Sequence, residues 1–438
     1  MRFVSPVALG LMLALGTASF AVSTPAMAAK EKKSSAPKLK LSKAFLPAAQ
    51  KASKAISKKD AVASKEALAE ALPVATSNDD KYQYYSLLLN YSIFAKDAVA
   101  QNEALKGMLD TGLTPAEQAG QFNLIVANNA MNAKDYDAAL VYGEKARALG
   151  YSPEQVAPIV AQAIWAKNAD NPAEIARGLA IFKEGIDALK ASGQPVPQQW
   201  YQVGVSKAAS SNLTPQLKQW ASMSYEAYPT GENLRTVLRV FQRENPAMTN
   251  RENLDLLRLM HVSGGLAIKP DYTEYAEMAF KGGLYGEVKS VLDEGRSKAI
   301  LTSQDSSDIY SVVSQRIAKD KASLGAAERD ALKAGTGKIA SATADAYFGY
   351  GDYPKAVSLF EVALQKGGVD TAEVNTRLGI ARLMAGDTTG ANAAFANVTT
   401  GSRGGIARLW TQYANAKAAQ AAKAAAPATE PVTEAAAQ

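Results

Sequence analysis

Cysteine is absent from the 438 residues, and histidine occurs once, as His261. Without cysteine the chain has no disulfide, no thiolate zinc or iron–sulfur site, no cysteine nucleophile and no lipid-modified cysteine of a bacterial lipoprotein. One histidine cannot build a multi-histidine metal site, and a Ser-His-Asp arrangement would have to centre on it. His261 follows an apolar helical run in RLMHVSGG, so we interpret it as a structural residue near a helix end. We predict no metal, no cofactor and no catalytic residue.

Long hydrophobic runs are scarce. Residues 1–28 contain Arg2, an apolar stretch over about 7–22, and the small residues Ala26 and Ala28 around Met27. This is the layout of a secretory signal peptide cut after Ala28, and an uncleaved membrane anchor is the alternative. No later apolar run approaches the roughly 18 residues that span a bilayer. We expect an exported, soluble protein, most simply in a bacterial periplasm, without a transmembrane span once the signal is removed.

Positive charge is concentrated near the N-terminus. The formal net charge is +6, and residues 30–60 hold ten lysines against Glu31 and Asp60. The rest of the mature chain is therefore mildly acidic. A lysine-rich leader over 29–40 is either a solvated arm or a contact for anionic surfaces such as lipid headgroups or cell-wall polymers. We do not expect nucleic acid as a partner of an exported protein.

Helix-type patterns dominate from about residue 41 onward. Segments of helical length are separated by short Gly, Pro, Asn or Asp punctuation, and no convincing strand-type alternation interrupts them. We therefore predict an all-α protein with a helical region over 41–413. The C-terminal 414–438 forms an Ala/Pro-rich tail, in which Pro427 and Pro431 should end any helix that the alanines extend.

An internal repeat organises the helical region. In GYGDYPKAVSLFEVAL, over 349–364, three residues recur further along the chain, all at the same spacing: Gly351, Ala356 and Phe360 correspond to Gly386, Ala391 and Phe395. A partial copy with Gly283 and Tyr285 precedes Gly351 and Tyr353 by about two such spacings. Another partial copy is AKDYDAALVYGEKARALG, over 133–150. The residues that define the pattern are Gly283, Tyr285, Gly351, Tyr353, Ala356, Phe360, Ala363, Gly386, Ala391 and Phe395.

This pattern resembles the tetratricopeptide repeat, whose unit of about 34 residues is two antiparallel helices. The resemblance is clearest over 337–405 and weaker over 121–150 and 272–295. It implies a stacked α-solenoid, since each hairpin leaves an apolar face that a neighbour must cover. In this family pattern Gly351 would turn the chain, Asp352 would cap the next helix, and Ala356 would let the paired helices approach closely.

Motifs for chemistry are weak. KAGTGKIAS over 333–341 contains Gly337 and Lys338, but Leu332 stands where a phosphate-binding loop requires glycine and Ile339 where it requires Ser or Thr. We therefore reject nucleotide binding. Exported helical solenoids also occur in lytic transglycosylases, but no Glu-Ser pair is present and no room remains for their catalytic domain. An envelope enzyme is retained as a weaker alternative.

Two sets of residues are candidates for binding a partner. Arg235, Arg239 and Arg243 are spaced four apart, so they would form a stripe on one helix face that suits carboxylates or phosphates. The alternative is a solvated face relieved by neighbouring glutamates. The family resemblance implies a second set on the inward face of the first helices of hairpins. These positions are Lys338, Ser341, Asp345, Phe348, Glu373, Thr376, Ile380 and Leu383, with ordinary solvent and core roles as the alternative.

The function hypothesis from sequence is a non-enzymatic periplasmic scaffold or adaptor. It would bind another protein, whose identity the sequence does not give, through a tetratricopeptide-like groove. The alternative is an enzyme or polymer-binding module of the cell envelope that recognises peptidoglycan or another anionic component, using the lysine-rich leader or the arginine stripe.

Overall fold

The computed structural model describes residues 37–425. Within that range the protein has twenty α-helices, one short 3-10 helix (Leu72–Val74) and no strand, so the predicted all-α class is confirmed. The chain divides into two compact units, with the boundary between Pro197 and Gln198. The predicted signal peptide, most of the lysine-rich leader and the last residues of the predicted tail lie outside the described residues.

Unit 1 is a series of four helical hairpins, because successive helices pair and each hairpin packs on the next. Its helices are α1 (Leu46–Ser57), α2 (Ala61–Ala71), α3 (Asn78–Ala95), α4 (Ala98–Asp110), α5 (Ala116–Asn132), α6 (Tyr136–Ala148), α7 (Pro153–Lys167) and α8 (Pro172–Ala191).

The turns inside three hairpins of unit 1 share one construction. A lysine adopts a positive φ, and the aspartate that follows caps the second helix of the hairpin. These pairs are Lys59-Asp60, Lys96-Asp97 and Lys134-Asp135. The third of these turns lies within the predicted partial copy over 133–150, and the other two lie outside the predicted repeat segments.

The start of the described chain lies against unit 1. Leu39 and Leu41 are partly buried against its core, and the backbone N–H of Lys40 donates to Asp79 Oδ2 at 2.7 Å. The predicted leader, 29–40, therefore ends in residues that pack on the first hairpins.

Unit 2 contains twelve helices. They are α9 (Gln198–Ser210), α10 (Thr214–Ala227), α11 (Gly231–Glu244), α12 (Asn250–Val262), α13 (Lys269–Lys281), α14 (Tyr285–Ser297), α15 (Ser307–Lys333), α16 (Lys338–Gly349), α17 (Tyr353–Lys366), α18 (Thr371–Met384), α19 (Thr388–Ala396) and α20 (Gly401–Ala425). The pairs α9–α10, α13–α14, α16–α17 and α18–α19 are hairpins. The predicted solenoid of stacked hairpins is therefore confirmed, and α20 continues the helix past residue 414.

The chain between Gly283 and Gly351 does not form the two successive hairpin repeats that the spacing predicts. Between the hairpins α13–α14 and α16–α17 lies α15, a single helix of 27 residues. It packs against both α14 and α16, and it buries Val313, Leu324 and Ala331 along its length. One long helix therefore covers the apolar faces that a further hairpin would cover. Its length keeps Gly283 and Gly351 about two repeat lengths apart, although no complete hairpin lies between them.

Close helix pairing in the hairpins of unit 2 depends on small residues. Ala356 and Ala391 are fully buried, and a Cβ placed on Gly379 would overlap the ring of Phe395. Gly351 has φ of 80°, and Asp352 accepts a hydrogen bond from the N–H of Lys355. The turn and the close approach are thus both encoded within a short stretch of each repeat.

The central part of helix α12 is buried on all sides. Each residue from Leu254 to Met260 is at most 2% exposed, and α12 contacts α11, α13, α18 and α20. Helix α20 returns to it from the far end of the chain, since Trp410 donates from Nε1 to the carbonyl oxygen of Asp255 at 3.0 Å. Unit 2 is therefore a hairpin array that closes on one internal helix.

A search of the described helices for apolar segments of membrane-spanning length finds none.

Candidate partner-binding site

The predicted groove positions of α16 and α18 face α12. The guanidinium of Arg258 stacks on the ring of Phe348, 4.6 Å from its centroid, and its Nη1 lies 3.9 Å from Asp345 Oδ1. Thr376 has no exposed surface, and Asp345, Phe348 and Glu373 are at most 9% exposed. The face that the repeat pattern assigns to a partner is therefore largely covered by a helix of the same chain.

A buried ion cluster joins α12 to this face. Asp255 is completely buried and accepts from Arg258 Nη1 at 2.8 Å, from Arg403 Nη1 at 2.8 Å and from Arg377 Nε at 3.3 Å. These arginines lie on α12, α20 and α18. One aspartate thus links three helices whose residues are up to 148 positions apart.

The cluster extends from Asp255 to three further carboxylates. Arg258 also donates to Glu287 Oε1, Arg377 donates to Asp345 Oδ2, and Arg377 and Arg403 both contact Glu373. Four buried carboxylates therefore share three buried arginines, and the exposed Arg251 adds a fourth cation by donating to Glu373 Oε1 at 2.6 Å. Glu287 Oε2 and Asp345 Oδ1 have no hydrogen-bond partner among the described residues.

Burial and the neighbouring arginines together determine how the cluster titrates. Burial raises the pKa of Glu287 and of Asp345, although the charge of Arg258 opposes the shift in both. Burial acts on Asp255 in the same direction, but the charges of Arg377, Arg258 and Arg403 outweigh it and lower the pKa of Asp255. Asp255 is thus the stable anion of the cluster, and Glu287 and Asp345 are the groups that accept a proton most readily.

An open cleft of about 600 Å³ adjoins the N-terminal end of α12. It is bounded by α12, the end of α13, and the starts of α16 and α18. Among the predicted groove residues, the exposed Lys338 and the half-buried Ser341 line it, and so do Asp345 and Glu373. The cleft is therefore where part of the predicted groove surface remains open.

Two lysines in the cleft are uncompensated. Lys281 and Lys338 are exposed, and within the described part of the chain neither has a carboxylate oxygen inside 4.0 Å. The carboxylates of the lining are engaged: Glu373 binds Arg251 and Arg377, Asp345 binds Arg377, and Asp370 caps α18. The lining charges without an ion pair among the described residues are thus two lysines against one carboxylate, that of Asp370.

The predicted arginine stripe is divided by the fold. Arg235 donates from Nε and Nη2 to the two carboxylate oxygens of Asp271 at 2.9 and 3.0 Å. Arg239 contacts Asp271 and also Glu274. Burial would raise the pKa of Asp271, but hydrogen bonds from the two arginines and from two backbone N–H groups lower it to about 2. Arg243 remains exposed, so the stripe mainly fastens α11 to α13.

His261 lies near the C-terminal end of α12, and its Nε2 contacts Glu294 Oε2. It lines a second cleft of about 420 Å³ together with Arg258, Glu287 and Tyr275. No group of three or more His, Cys, Asp or Glu side chains suited to a metal ion occurs in the described part of the chain.

No known family model matches the sequence, and no curated protein matches it. Solved structures resemble it at low identity. A tetratricopeptide repeat protein from Parabacteroides merdae is 12% identical with a TM-score of 0.25, covering 76% of this chain and 98% of that one. The TPR2AB domain of yeast Sti1, solved in complex with pHSP90, is 13% identical with a TM-score of 0.23, covering 68% and 98%. The P58(IPK) TPR domain is 10% identical with a TM-score of 0.22, covering 86% and 99%.

The class of the protein is defined by its own hairpins. Antiparallel helix pairs repeat at about 34 residues over the clearest region, with a turn residue of positive φ, a helix cap and a small residue at the crossing. The fold is a tetratricopeptide-like α-solenoid.

Proposed function

We propose that the protein is a non-enzymatic scaffold that binds another protein through the cleft between α12, α13, α16 and α18. The observation that carries this proposal is an open, polar cleft on a helical array, lined by Lys281 and Lys338 without ion-pair partners among the described residues. Repeat arrays present extended surfaces of this kind to partners. The buried carboxylates that could serve acid–base chemistry are held by arginines, which favours binding over catalysis.

Site-specific photocrosslinking tests the proposal. A photoreactive residue at Ala342, an exposed residue of the cleft lining, should capture a discrete partner in cells. The matched control is Ala326, an exposed alanine on α15 outside the lining. The same partner should be absent from the Ala326 sample and should not bind a variant in which Ser341 and Ala342 are both changed to Trp. Equal capture from both positions would contradict a binding role for the cleft.

We further propose that the chain is exported to a bacterial periplasm after removal of residues 1–28. In that segment Arg2 precedes an apolar stretch, and the small residues Ala26 and Ala28 precede Ala29, which is the layout of a cleaved signal peptide. N-terminal sequencing of the protein from a periplasmic fraction should begin at Ala29. Full-length protein confined to the cytoplasm would contradict export. A pelleting assay with purified cell-wall sacculi separates the scaffold from the polymer-binding alternative, because the scaffold should remain in the supernatant.

A further inference from the structure

We infer that the cleft accepts an extended acidic segment of the partner and reads the carboxylates of its side chains rather than a chain end. This inference rests on the proposed scaffold function and adds the chemistry of the bound segment. Three features support it: the charges that line the cleft, the way its rim is held, and the room beside α12.

The cleft is electrostatically complementary to an acidic segment. The exposed cations Lys281 and Lys338 come from α13 and α16, and Arg251, whose side chain is 69% exposed, approaches from α12. The lining carboxylates Glu373 and Asp345 already pair with arginines of the protein. A carboxylate entering the cleft therefore meets two free ammonium groups, whereas a basic segment would meet one carboxylate without an ion pair among the described residues, that of Asp370.

The rim that presents Lys338 is held on both sides. Lys366 donates from Nζ to the carbonyl oxygens of Leu332 and Ala334, and the N–H of Gly337 donates to the carbonyl oxygen of Gly367 at 2.8 Å. A Cβ on Gly337 would overlap the backbone of Ala363. The loop that resembled a phosphate-binding motif is thus a fixed rim of the cleft, and binding would not require it to become ordered.

The backbone adds donors to the same rim. Helix α16 begins at Lys338 without a side-chain cap, since Gly337 occupies the N-cap position. The first N–H groups of a helix have no partner within the helix and attract anions. They reinforce the two lysines, which are the primary recognition groups.

The shape favours an extended segment over a docked helix. The face that would receive a helix is already filled by α12, as Arg258 stacks on Phe348 and Asp255 binds Arg377 and Arg403. The leucines of α12 are fully buried or nearly so, and expelling the helix would therefore expose a large apolar area. What remains is the cleft of about 600 Å³ beside it, a volume in the usual range for ligand clefts.

Fluorescence anisotropy with the full chain tests the inference. The probe is a labelled eight-residue peptide of alternating Glu and Ala, acetylated and amidated so that it has no free chain ends. Its control replaces every Glu with Gln. The Glu peptide should bind, the Gln peptide should bind at least about tenfold more weakly, and added salt should reduce the difference.

Paired variants locate the binding. K281E/K338E should weaken the Glu peptide by about tenfold or more, and K281A/K338A by less, because it removes charge without reversing it. The matched control K65E/K319E makes the same change of charge on exposed lysines of α2 and α15 and should alter binding by less than about twofold. Equal loss in both charge-reversed variants would overturn the inference, since it would show attraction to net charge alone.

The outcome also separates this inference from the scaffold function. If Ala342 crosslinks a specific partner but the Glu and Gln peptides bind alike, the acidic-segment inference is wrong and the scaffold proposal stands. If Ala342 captures nothing that Ala326 does not, and the Glu peptide fails to bind, both are wrong.

Discussion

Unit 1 and unit 2 use the same helical hairpin but are stabilised in different ways. In unit 1 the hairpins pack on their neighbours in sequence, and the ion pairs lie on the surface, as between Arg147 and Glu184. In unit 2 a buried charge cluster connects α12 to α18 and α20 across more than a hundred residues. Repetition in unit 1 thus produces a local stack, whereas unit 2 closes on α12 through contacts between residues that are far apart in sequence.

The strongest test of this difference is D255A. The substitution removes the carboxylate that Arg258, Arg377 and Arg403 share and leaves the three arginines buried. Removing one partner of a buried ion pair lowers the free energy of unfolding by about 3–5 kcal/mol. Hydrogen exchange measured by mass spectrometry should show lost protection over residues 250–410 while α1 to α8 keep theirs.

The control for D255A is D187A in unit 1. Asp187 forms a surface pair with Lys183, so the free energy derived from exchange should change by less than about 0.5 kcal/mol. Retention of full protection in unit 2 of the D255A protein would show that apolar burial alone holds α12.

The second test concerns close helix crossings, which the two units share. A Cβ on Gly379 would overlap the ring of Phe395, and one on Gly107 would overlap the ring of Tyr85. G379A and G107A should each destabilise their own unit by about 1–3 kcal/mol through overpacking.

The matched control for these glycines is G325A. Gly325 lies mid-helix in α15, and the nearest atom that an added Cβ would meet is Arg329 Nη1 at 3.9 Å. The substitution should stabilise unit 2 by about 0.5–1 kcal/mol, since alanine has the higher helix propensity. Thermal unfolding of the three variants gives the comparison. Similar results at all three glycines would mean that close helix crossing is not what selects them.

The third test is the pH dependence of unit 2. Glu287 and Asp345 have pKa values raised above 4.5 and 3.8, so the folded state binds more protons than the unfolded state above those values. Their contribution to stability is complete at lower pH and declines as pH rises through the raised pKa values. E287Q, which mimics the protonated side chain, should flatten the decline in protection of unit 2 as pH rises above 4.5.

Glu294 supplies the control with the opposite sign. Its pKa is lowered, with burial opposed by hydrogen bonds from Lys298 and His261, so its stabilising effect is present at neutral pH and is lost as pH falls through the lowered pKa. E294Q should leave the decline above pH 4.5 unchanged, because Glu294 is ionised in both states there. An unchanged slope in E287Q would show that another group takes up the proton.

The helical class and the repeat were predictable because their signals are local. Gly351, Asp352 and Ala356 lie close together in sequence and determine a turn, a cap and a crossing. The long α15 was not predicted, since a spacing of two repeat lengths fits two hairpins equally well. The Lys96 and Lys59 turns were missed although the Lys-Asp dipeptide before an apolar helix could have revealed them.

The site was predicted only in part. Lys338 and Ser341 line an open cleft, but the groove pattern could not show that Arg258 of α12 stacks on Phe348. Asp255 lies in RENLDLLRLM, where it looks like an ordinary polar residue of an amphipathic helix. Its partners Arg377 and Arg403 are 122 and 148 residues away. Pairing at that separation depends on how the array closes, which local periodicity does not encode.

The smallest expected effect lies in the turns, where lysine in three hairpins of unit 1 has the positive φ that glycine has in three hairpins of unit 2. Lys96 and Lys134 have φ of 55° and 61°, and the equivalent Gly351 in unit 2 has 80°. A residue with a Cβ in this left-handed region destabilises the folded state by about 1 kcal/mol. Glycine avoids this cost because it has no Cβ, but it loses more backbone entropy on folding, so only part of the gain remains. K96G should therefore stabilise unit 1 by about 0.5 kcal/mol in exchange protection, and G351K should destabilise unit 2 by a similar amount. K96A keeps the Cβ and removes the charge, so a gain equal to that of K96G would assign the effect to electrostatics instead of backbone conformation.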